Sequence, residues 1–407
     1  MLIGENSHLT YCTNIHPGET WEEVFGSLKK YCVAIKNKLD PDRPFGIGLR
    51  LSKKSASQLL QGKSLANFKN WLDGHNLYIF TMNGFPYGDF HNVVIKDKVH
   101  FPDWTTKERV DYTSDLIKIL TYLLPEDIEG GISTSPLSYK LWFNSDKERE
   151  QTKIKSVHSL INLLVQMIEV KKKTGKLIHI DLEPEPDGML ENTQEVIDFY
   201  NLFLLKYGII LLQKQINCSK EEARIHILDH IQICYDVCHF ALAYEHPKEV
   251  ISQLEKECIK IGKIQISSAL KCIKSEKISV EKQQESLRQF EEPTYLHQAV
   301  IRTRNGNLKH FSDLKAGIND MNNSDFEEIR THFHVPVFMS DFEVLDATQE
   351  DIINTLDLWK KNKFSAHLEV ETYTWTILPE HLQTDLTDSI VRELEWVRKQ
   401  INQKIPI

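Results

Sequence analysis

Short β-branched or apolar runs recur along the whole chain, with longer amphipathic segments between them, and this alternation constrains the fold more than any other feature. The runs are Leu9–Ile15, Phe45–Leu51, Leu77–Met82, Gly130–Ser135, Leu177–Glu183, Ile231–Val237, Lys263–Ser267 and Ser365–Glu371. The segments between them carry helix signals. Thr20-x-x-Glu23 is a capping box, and Val24, Leu28, Cys32, Ile35 and Leu39 follow it at helical spacing. Val157–Lys173 reads as a helix ended by Gly175. Ser219-x-x-Glu222 and Thr348-x-x-Asp351 read as helix caps, Pro247 opens a helix, and Leu386–Ile401 closes the chain.

Strand followed by helix, repeated, makes a parallel sheet. Eight such units favour a closed (β/α)8 TIM barrel of the α/β class. An open doubly wound sheet is the alternative, but no G-x-G-x-x-G follows a strand and there is no P-loop. All 407 residues are expected to form one barrel domain. Residues from about 271 to 340 break the rhythm between strands seven and eight. There Tyr295–Arg304, Asn305-Gly306 and Leu308–Phe311 read as a hairpin, and Thr331–Phe338 as an extra strand.

Four of the strands alternate polar with apolar residues. His179, Asp181 and Glu183 oppose Ile178, Ile180 and Leu182; Gln232, Cys234 and Asp236 oppose Ile231, Ile233 and Tyr235. Lys263, Gln265 and Ser267 oppose Ile264 and Ile266; His367, Glu369 and Glu371 oppose Ala366, Leu368 and Val370. Parallel strands under helices are usually apolar on both faces, so this polarity needs a cause. The apolar parity is expected to face the helices and the polar parity the barrel mouth. Carboxylates brought together there fit a divalent cation, because unpaired buried charge is costly. A metal-free polar pocket fits the same pattern. Asp236-x-x-His239 is the sharpest local motif, Asp236 as ligand and His239 reaching substrate, though His239 could also be a structural loop histidine.

At these residues the chain resembles the xylose-isomerase-like barrels, the superfamily of sugar isomerases, epimerases and endonuclease-IV-type enzymes. The resemblance implies four metal ligands. Glu183 in LEPEP and Asp236 in DVCH match the first two, and Glu371, or alternatively Glu369, in HLEVETYTW matches the fourth. Gln265 stands where the family has a histidine; its amide oxygen, or His332 or His334 from the inserted strand, would complete the set. The implied cofactor is a divalent ion: Mn, Mg, Co or Zn. Four separate segments, LTYCTNIHPGETWEEV, NGFPYGDFHNVVIKDKVHFPDW, HFHVPVF and HLEVETYTW, also resemble the Ebo-type metabolite-traffic family (EboE). That likeness implies a bacterial pathway that makes or moves a small metabolite.

The implied chemistry is sugar isomerisation or epimerisation through an enediolate, with Glu183 and Glu371 as acid/base pair and His239 orienting oxygen atoms. Lys271 could stabilise developing negative charge, or lie on the surface. Phe85, Tyr87, Phe90, His91 and Trp104, after strand three, could wall a sugar-like substrate or simply pack their loop; His16, after strand one, and Glu185 are further substrate candidates. Two rivals are a non-catalytic metabolite-binding barrel and a multi-zinc phosphodiesterase, which the 17 histidines would allow.

The net charge of −9 argues against a nucleic-acid partner held on a basic face. Seven cysteines without a C-x-x-C pair read as reduced thiols of a cytoplasmic protein. Met1–Thr10 has neither a basic nor an apolar signal region, and no apolar run is long enough to insert in a membrane. Homo-oligomerisation stays open.

Overall fold

The computed structural model describes residues 1–4, 6–88, 96–291, 296–323, 325–342, 344–375, 378 and 383–403. Strands β1 (His8–Tyr11), β2 (Phe45–Arg50), β3 (Leu77–Asn83), β4 (Gly130–Thr134), β5 (Ile178–Leu182), β6 (Ile231–Asp236) and β7 (Ile261–Ile266) belong to one parallel sheet. The inserted strands after β7 leave that sheet, and the last strand, β14 (His367–Val370), returns to it between β7 and β1. The resulting order is β1-β14-β7-β6-β5-β4-β3-β2. A parallel bridge between Cys12 and Gly48 brings β1 to β2, so the eight strands form a nearly closed TIM barrel wrapped by helices.

The capping boxes at Thr20/Glu23 and Ser219/Glu222 form as their sequences require. A third, Ser145/Glu148, starts the helix Asp146–Thr174, well before the apolar stretch at Val157. Its first turns are charged and exposed, so hydrophobic spacing does not reveal them. Gly175 ends this helix at φ 76, a conformation costly for any residue with a Cβ. Thr348 caps nothing with its side chain; its Oγ1 accepts from Ala269 N at 2.9 Å and ties the helix start to a neighbouring strand instead.

The strand parities hold: Ile178, Ile180 and Leu182 are buried in the hydrophobic core, and the polar parity points inward. Most of those polar residues fill the barrel rather than its mouth. His179 Nδ1 meets Asp181 Oδ1 at 2.6 Å, with the His367 ring stacked on His179. In the next layer Lys263 Nζ meets Glu369 Oε2 at 2.6 Å and donates to Ser133 Oγ at 3.2 Å. Glycines make room for these long side chains. A Cβ at Gly262 would lie 2.0 Å from Asp181 Oδ1, and one at Gly48 would lie 1.7 Å from Glu369 Oε1.

The inserted segment builds a second, antiparallel sheet. It comprises β8 (Ser268–Ile273), β9 (Ala299–Thr303), β10 (Leu308–Phe311), β11 (Phe326–Val335), β12 (Asp341–Phe342) and β13 (Leu345–Ala347), in the order β10-β9-β11-β8-β13-β12. The hairpin expected around Asn305-Gly306 is β9–β10, with Leu308 opposite Arg302. β8 follows β7 after the single residue Ser267, so this sheet grows from the C-terminal end of the barrel. β11 is irregular where it crosses β8. Thr331 pairs with Leu270 but His334 pairs with Ala269, which leaves His332 and Phe333 as extra residues. Such a bulge re-aims side chains, and here Phe333 is buried while both histidines turn to the barrel mouth.

Candidate metal centre at the barrel mouth

Three carboxylates end three barrel strands. Glu183 follows β5, Asp236 ends β6 and Glu371 follows β14. An oxygen of each lies within 4.8 Å of the others, and all three residues are buried. Asp236 caps the short helix Val237–Leu242: its Oδ1 accepts from His239 N at 3.2 Å and from Ser267 Oγ at 2.6 Å. Glu371 Oε1 accepts from the Asn14 amide at 2.7 Å and the Asn83 amide at 3.1 Å. Asp236 Oδ2 and Glu183 Oε2 have no hydrogen-bond partner among the described residues. Burial, then Asp236 and Glu185, pushes the Glu183 carboxyl well above its ordinary range. Burial, then Glu183 and Asp236, does the same to Glu371. Three clustered, desolvated carboxyls repel one another unless a proton or a cation sits among them.

Histidines from the barrel and the second sheet face this cluster. His334 Nδ1 lies 2.8 Å from the Glu371 carbonyl, so it donates, and Nε2 is left bare with no partner among the described residues. His334 joins Asp236 and His239 in a second group of possible ligand atoms within 4.8 Å. His239 Nδ1 lies 2.8 Å from the Pro184 carbonyl, and its Nε2 is 3.8 Å from Asp236 Oδ2. His332 and Glu185 complete the lining beside His239. The cavity they line is about 70 Å³, bounded also by Phe85, Lys96 and Tyr373. A larger hollow of about 1160 Å³ lies at the opposite end of the barrel, near His8, Tyr78 and Glu129. The smaller one is the candidate site, because the unpaired carboxylates converge there and at the face where barrel enzymes place their chemistry.

The other sequence candidates lie elsewhere. Glu369 is held by Lys263 inside the barrel, a layer away from the mouth. The Gln265 amide faces Glu369; because both partners there are acceptors, the amide is assigned nitrogen-first, and it then donates to Glu369 Oε2 and to the Glu369 main-chain oxygen at 3.3 Å each. Lys271 is half-buried on β8, opposite Asp346 in the second sheet, and does not line the cavity. His16 is bonded to Tyr11 Oη at 2.8 Å and stacked on Tyr31. Trp104 is buried in the hydrophobic core and Tyr87 packs edge-on against Tyr112. Phe90 and His91 lie outside the described residues. Sequence reading passed over Asn14 and Asn83, which hold Glu371; their position just after β1 and at the end of β3 was the available signal. It also passed over Gln298, whose Oε1 lies 2.9 Å from His332 Nδ1, a partner distant in the chain.

No protein-family model matches the chain, and no curated protein matches it. Solved structures do. A xylose isomerase-like TIM-barrel protein from Mycobacterium smegmatis, in complex with magnesium, superposes with a TM-score of 0.51 at 9% identity, over 98% of this chain and 98% of that one. The fold is a TIM barrel, similar to that of this xylose isomerase-like protein. The IolI protein with a bound zinc atom gives a TM-score of 0.46 at 12% identity, over 97% and 98% of the two chains. A D-tagatose 3-epimerase-like protein gives 0.45 at 12% identity, over 97% of each.

Proposed function

We propose that this protein is a divalent-metal-dependent isomerase or epimerase of a small sugar-like or cyclitol-like molecule, acting by proton transfer beside a carbonyl. The observation that carries this reading is the convergence of the Glu183, Asp236 and Glu371 carboxylates at the mouth of the barrel, with His334, whose Nε2 is bare, beside Asp236. The donor set fits a divalent cation: three carboxylates, two of them with an oxygen that nothing described satisfies, and an imidazole Nε2 left without a proton because Nδ1 donates to the Glu371 carbonyl. Glu183, Asp236, Glu371 and His334 would hold it, with His334 in the role that Gln265, turned to Glu369, does not fill. The magnesium in the Mycobacterium smegmatis barrel supports a metal in this fold. When bound, the ion supplies the Lewis acidity that polarises a substrate carbonyl.

The chain's own groups then divide the work. Glu183 keeps one oxygen without a partner and is the better placed base for a C–H proton next to that carbonyl. Glu371, fixed by Asn14 and Asn83, returns a proton to the neighbouring carbon or to the other face. In the metal-free protein, burial and the neighbouring carboxylates raise the proton affinity of both carboxyls, a repulsion that a bound cation would relieve. Phe85 and Tyr373 exclude water on one side of the cavity. The four segments that resemble the Ebo-type proteins support a substrate from a bacterial small-metabolite pathway, and seven free thiols, five of them buried, suit a reducing compartment.

The test is metal analysis of the purified protein beside its Glu183→Gln variant, with NMR of open-chain sugars in D2O. Bound metal in the wild type, loss of it in the variant and solvent deuterium at the carbon beside the carbonyl are expected. Unchanged metal content in Glu183→Gln would overturn the site. One observation favours a second reading, phosphodiester hydrolysis: His239, His332 and His334 crowd the same carboxylates. Nicking of abasic DNA would decide for it.

A further inference from the structure

Beside the carboxylate cluster, two histidines meet in a way that their hydrogen bonds leave unresolved. His239 Nδ1 lies 2.8 Å from the Pro184 carbonyl, which can only accept, so this nitrogen carries the proton. His332 Nδ1 lies 2.9 Å from Gln298 Oε1, and the Gln298 amide nitrogen is itself spent on the Pro186 carbonyl at 3.0 Å. The glutamine is thereby oriented oxygen-first, and His332 Nδ1 also carries its proton. Both Nε2 atoms are left as lone-pair acceptors, and they face each other at 3.1 Å. Two bare acceptors at hydrogen-bond distance, both buried, repel unless a cation lies between them or within reach of both.

The same spacing is what a shared metal produces. Two imidazole nitrogens bound to one zinc at about 2.0–2.1 Å stand roughly 3–3.4 Å apart at near-tetrahedral angles. A third donor is at hand. Glu185 offers a carboxylate oxygen within 4.8 Å of a ring nitrogen of each histidine. Its Oε2 is buried with no hydrogen-bond partner among the described residues, and the nearest basic group is His100 Nε2 at 3.5 Å. Both rings are also held from behind: Pro184 O and Gln298 Oε1 accept from their Nδ1 atoms, as carbonyl and amide partners do for metal-bound imidazoles.

We propose that His239, His332 and Glu185 form a second metal site, distinct from Glu183, Asp236, Glu371 and His334, and selective for a borderline ion such as zinc. Two nitrogens and one carboxylate oxygen form the donor set of an open zinc site. The carboxylate-rich site next to it suits a harder ion, so the two differ in preference as well as place. The second site rests on the first only in sharing the cavity: none of its three donors is needed to hold the first ion. It gives the inserted sheet a role, since His332 reaches the barrel through the bulge in β11.

The experiment is a zinc and cobalt titration of metal-free full-length protein, with bound metal counted after gel filtration and the visible absorption of cobalt recorded. His332→Gln and Glu185→Gln are compared with Asp236→Asn, and circular dichroism melts of the metal-free proteins check folding. About two equivalents of zinc per chain are expected in the wild type. About one is expected in His332→Gln and in Glu185→Gln, with a cobalt band from nitrogen ligands lost, and about one in Asp236→Asn with that band kept. One equivalent in the wild type, unchanged in His332→Gln and lost in Asp236→Asn, would overturn this site, leave the first standing and assign a shared proton to the histidine pair. No metal in any protein would overturn both.

Discussion

Lys263 Nζ lies 2.6 Å from Glu369 Oε2 in the middle of the barrel, and neither side chain is exposed to solvent. Burial alone would lower the lysine pKa, but the Glu369 carboxylate outweighs it and holds the ammonium above its ordinary range. Lys263 also donates to Ser133 Oγ at 3.2 Å and to the Met82 carbonyl at 3.3 Å, so removing it strands one charge and two acceptors. Lys263→Met is expected to cost about 3–5 kcal/mol in guanidinium unfolding, because a lone buried carboxylate remains. The double variant Lys263→Met/Glu369→Leu should recover much of that loss. A double variant as unstable as the single one would show that the pair matters through packing and not through charge.

Gly48 gives Glu369 its place. A Cβ there would sit 1.7 Å from Glu369 Oε1 and 2.8 Å from the Tyr11 carbonyl, and backbone cannot move aside cheaply. Gly48→Ala should destabilise by about 1–3 kcal/mol through overpacking. In a Glu369→Ala background the same change should cost clearly less, since the nearest clash is gone. Thermal melts of the four proteins measure the coupling; strict additivity would mean that Gly48 is needed by the Tyr11 backbone and not by Glu369.

Glu393 supplies a pH dependence that can be isolated. Its carboxyl is buried, and burial pushes its pKa up from 4.5 to about 7, against the Thr372, Val337 and Trp375 donors that pull it down. The folded state therefore binds this proton more tightly than the unfolded chain. Stability from this group is full below about pH 4.5 and falls as pH rises to about 7, above which the loss is constant. The total is on the order of 3 kcal/mol at most. Glu393→Gln should match the wild type more closely at pH 8 than at pH 5, or surpass it there. A wild-type-minus-variant difference that stays flat from pH 5 to pH 8 would show that Glu393 is ionised throughout.

Much of this was legible in the sequence, for a physical reason. Side-chain parity along a strand is local, so Glu183, Asp236 and Glu371 could be placed at the barrel mouth from their neighbours alone. What failed to show depends on pairing across the chain. Gln265 stands at the right register, level with Asp236 and Glu369, yet its amide turns to Glu369, and no strand pattern reveals that. The second sheet read only as a hairpin and one extra strand, because its order joins β8 to β11 over distant residues. The bulge that aims His332 is invisible until β11 meets β8. Charged residues of matching parity, such as Lys263, look like any other polar inward position until their partner across the barrel is known.

Gln265, His332 and His334 were the alternatives for the last metal ligand, and of Gln265 and His334 it is His334 that stands beside Asp236 with a bare ring nitrogen. If His334 Nε2 is the nitrogen ligand of the carboxylate site, His334→Gln should weaken binding of the first metal equivalent by on the order of 100-fold. Its Nδ1 hydrogen bond to the Glu371 carbonyl at 2.8 Å would also go, so a melt of the metal-free variant separates folding from affinity. Gln265→Met should leave metal affinity near the wild-type value and show instead as a stability change of about 1–2 kcal/mol, since it leaves Glu369 with one donor fewer. Lys271→Ala, on the second sheet opposite Asp346, should alter neither metal content nor deuterium uptake. Isothermal titration of the metal-free proteins reads all three. Affinity lost in Gln265→Met and kept in His334→Gln would return the ligand to strand seven and leave the inserted histidines to the second site alone.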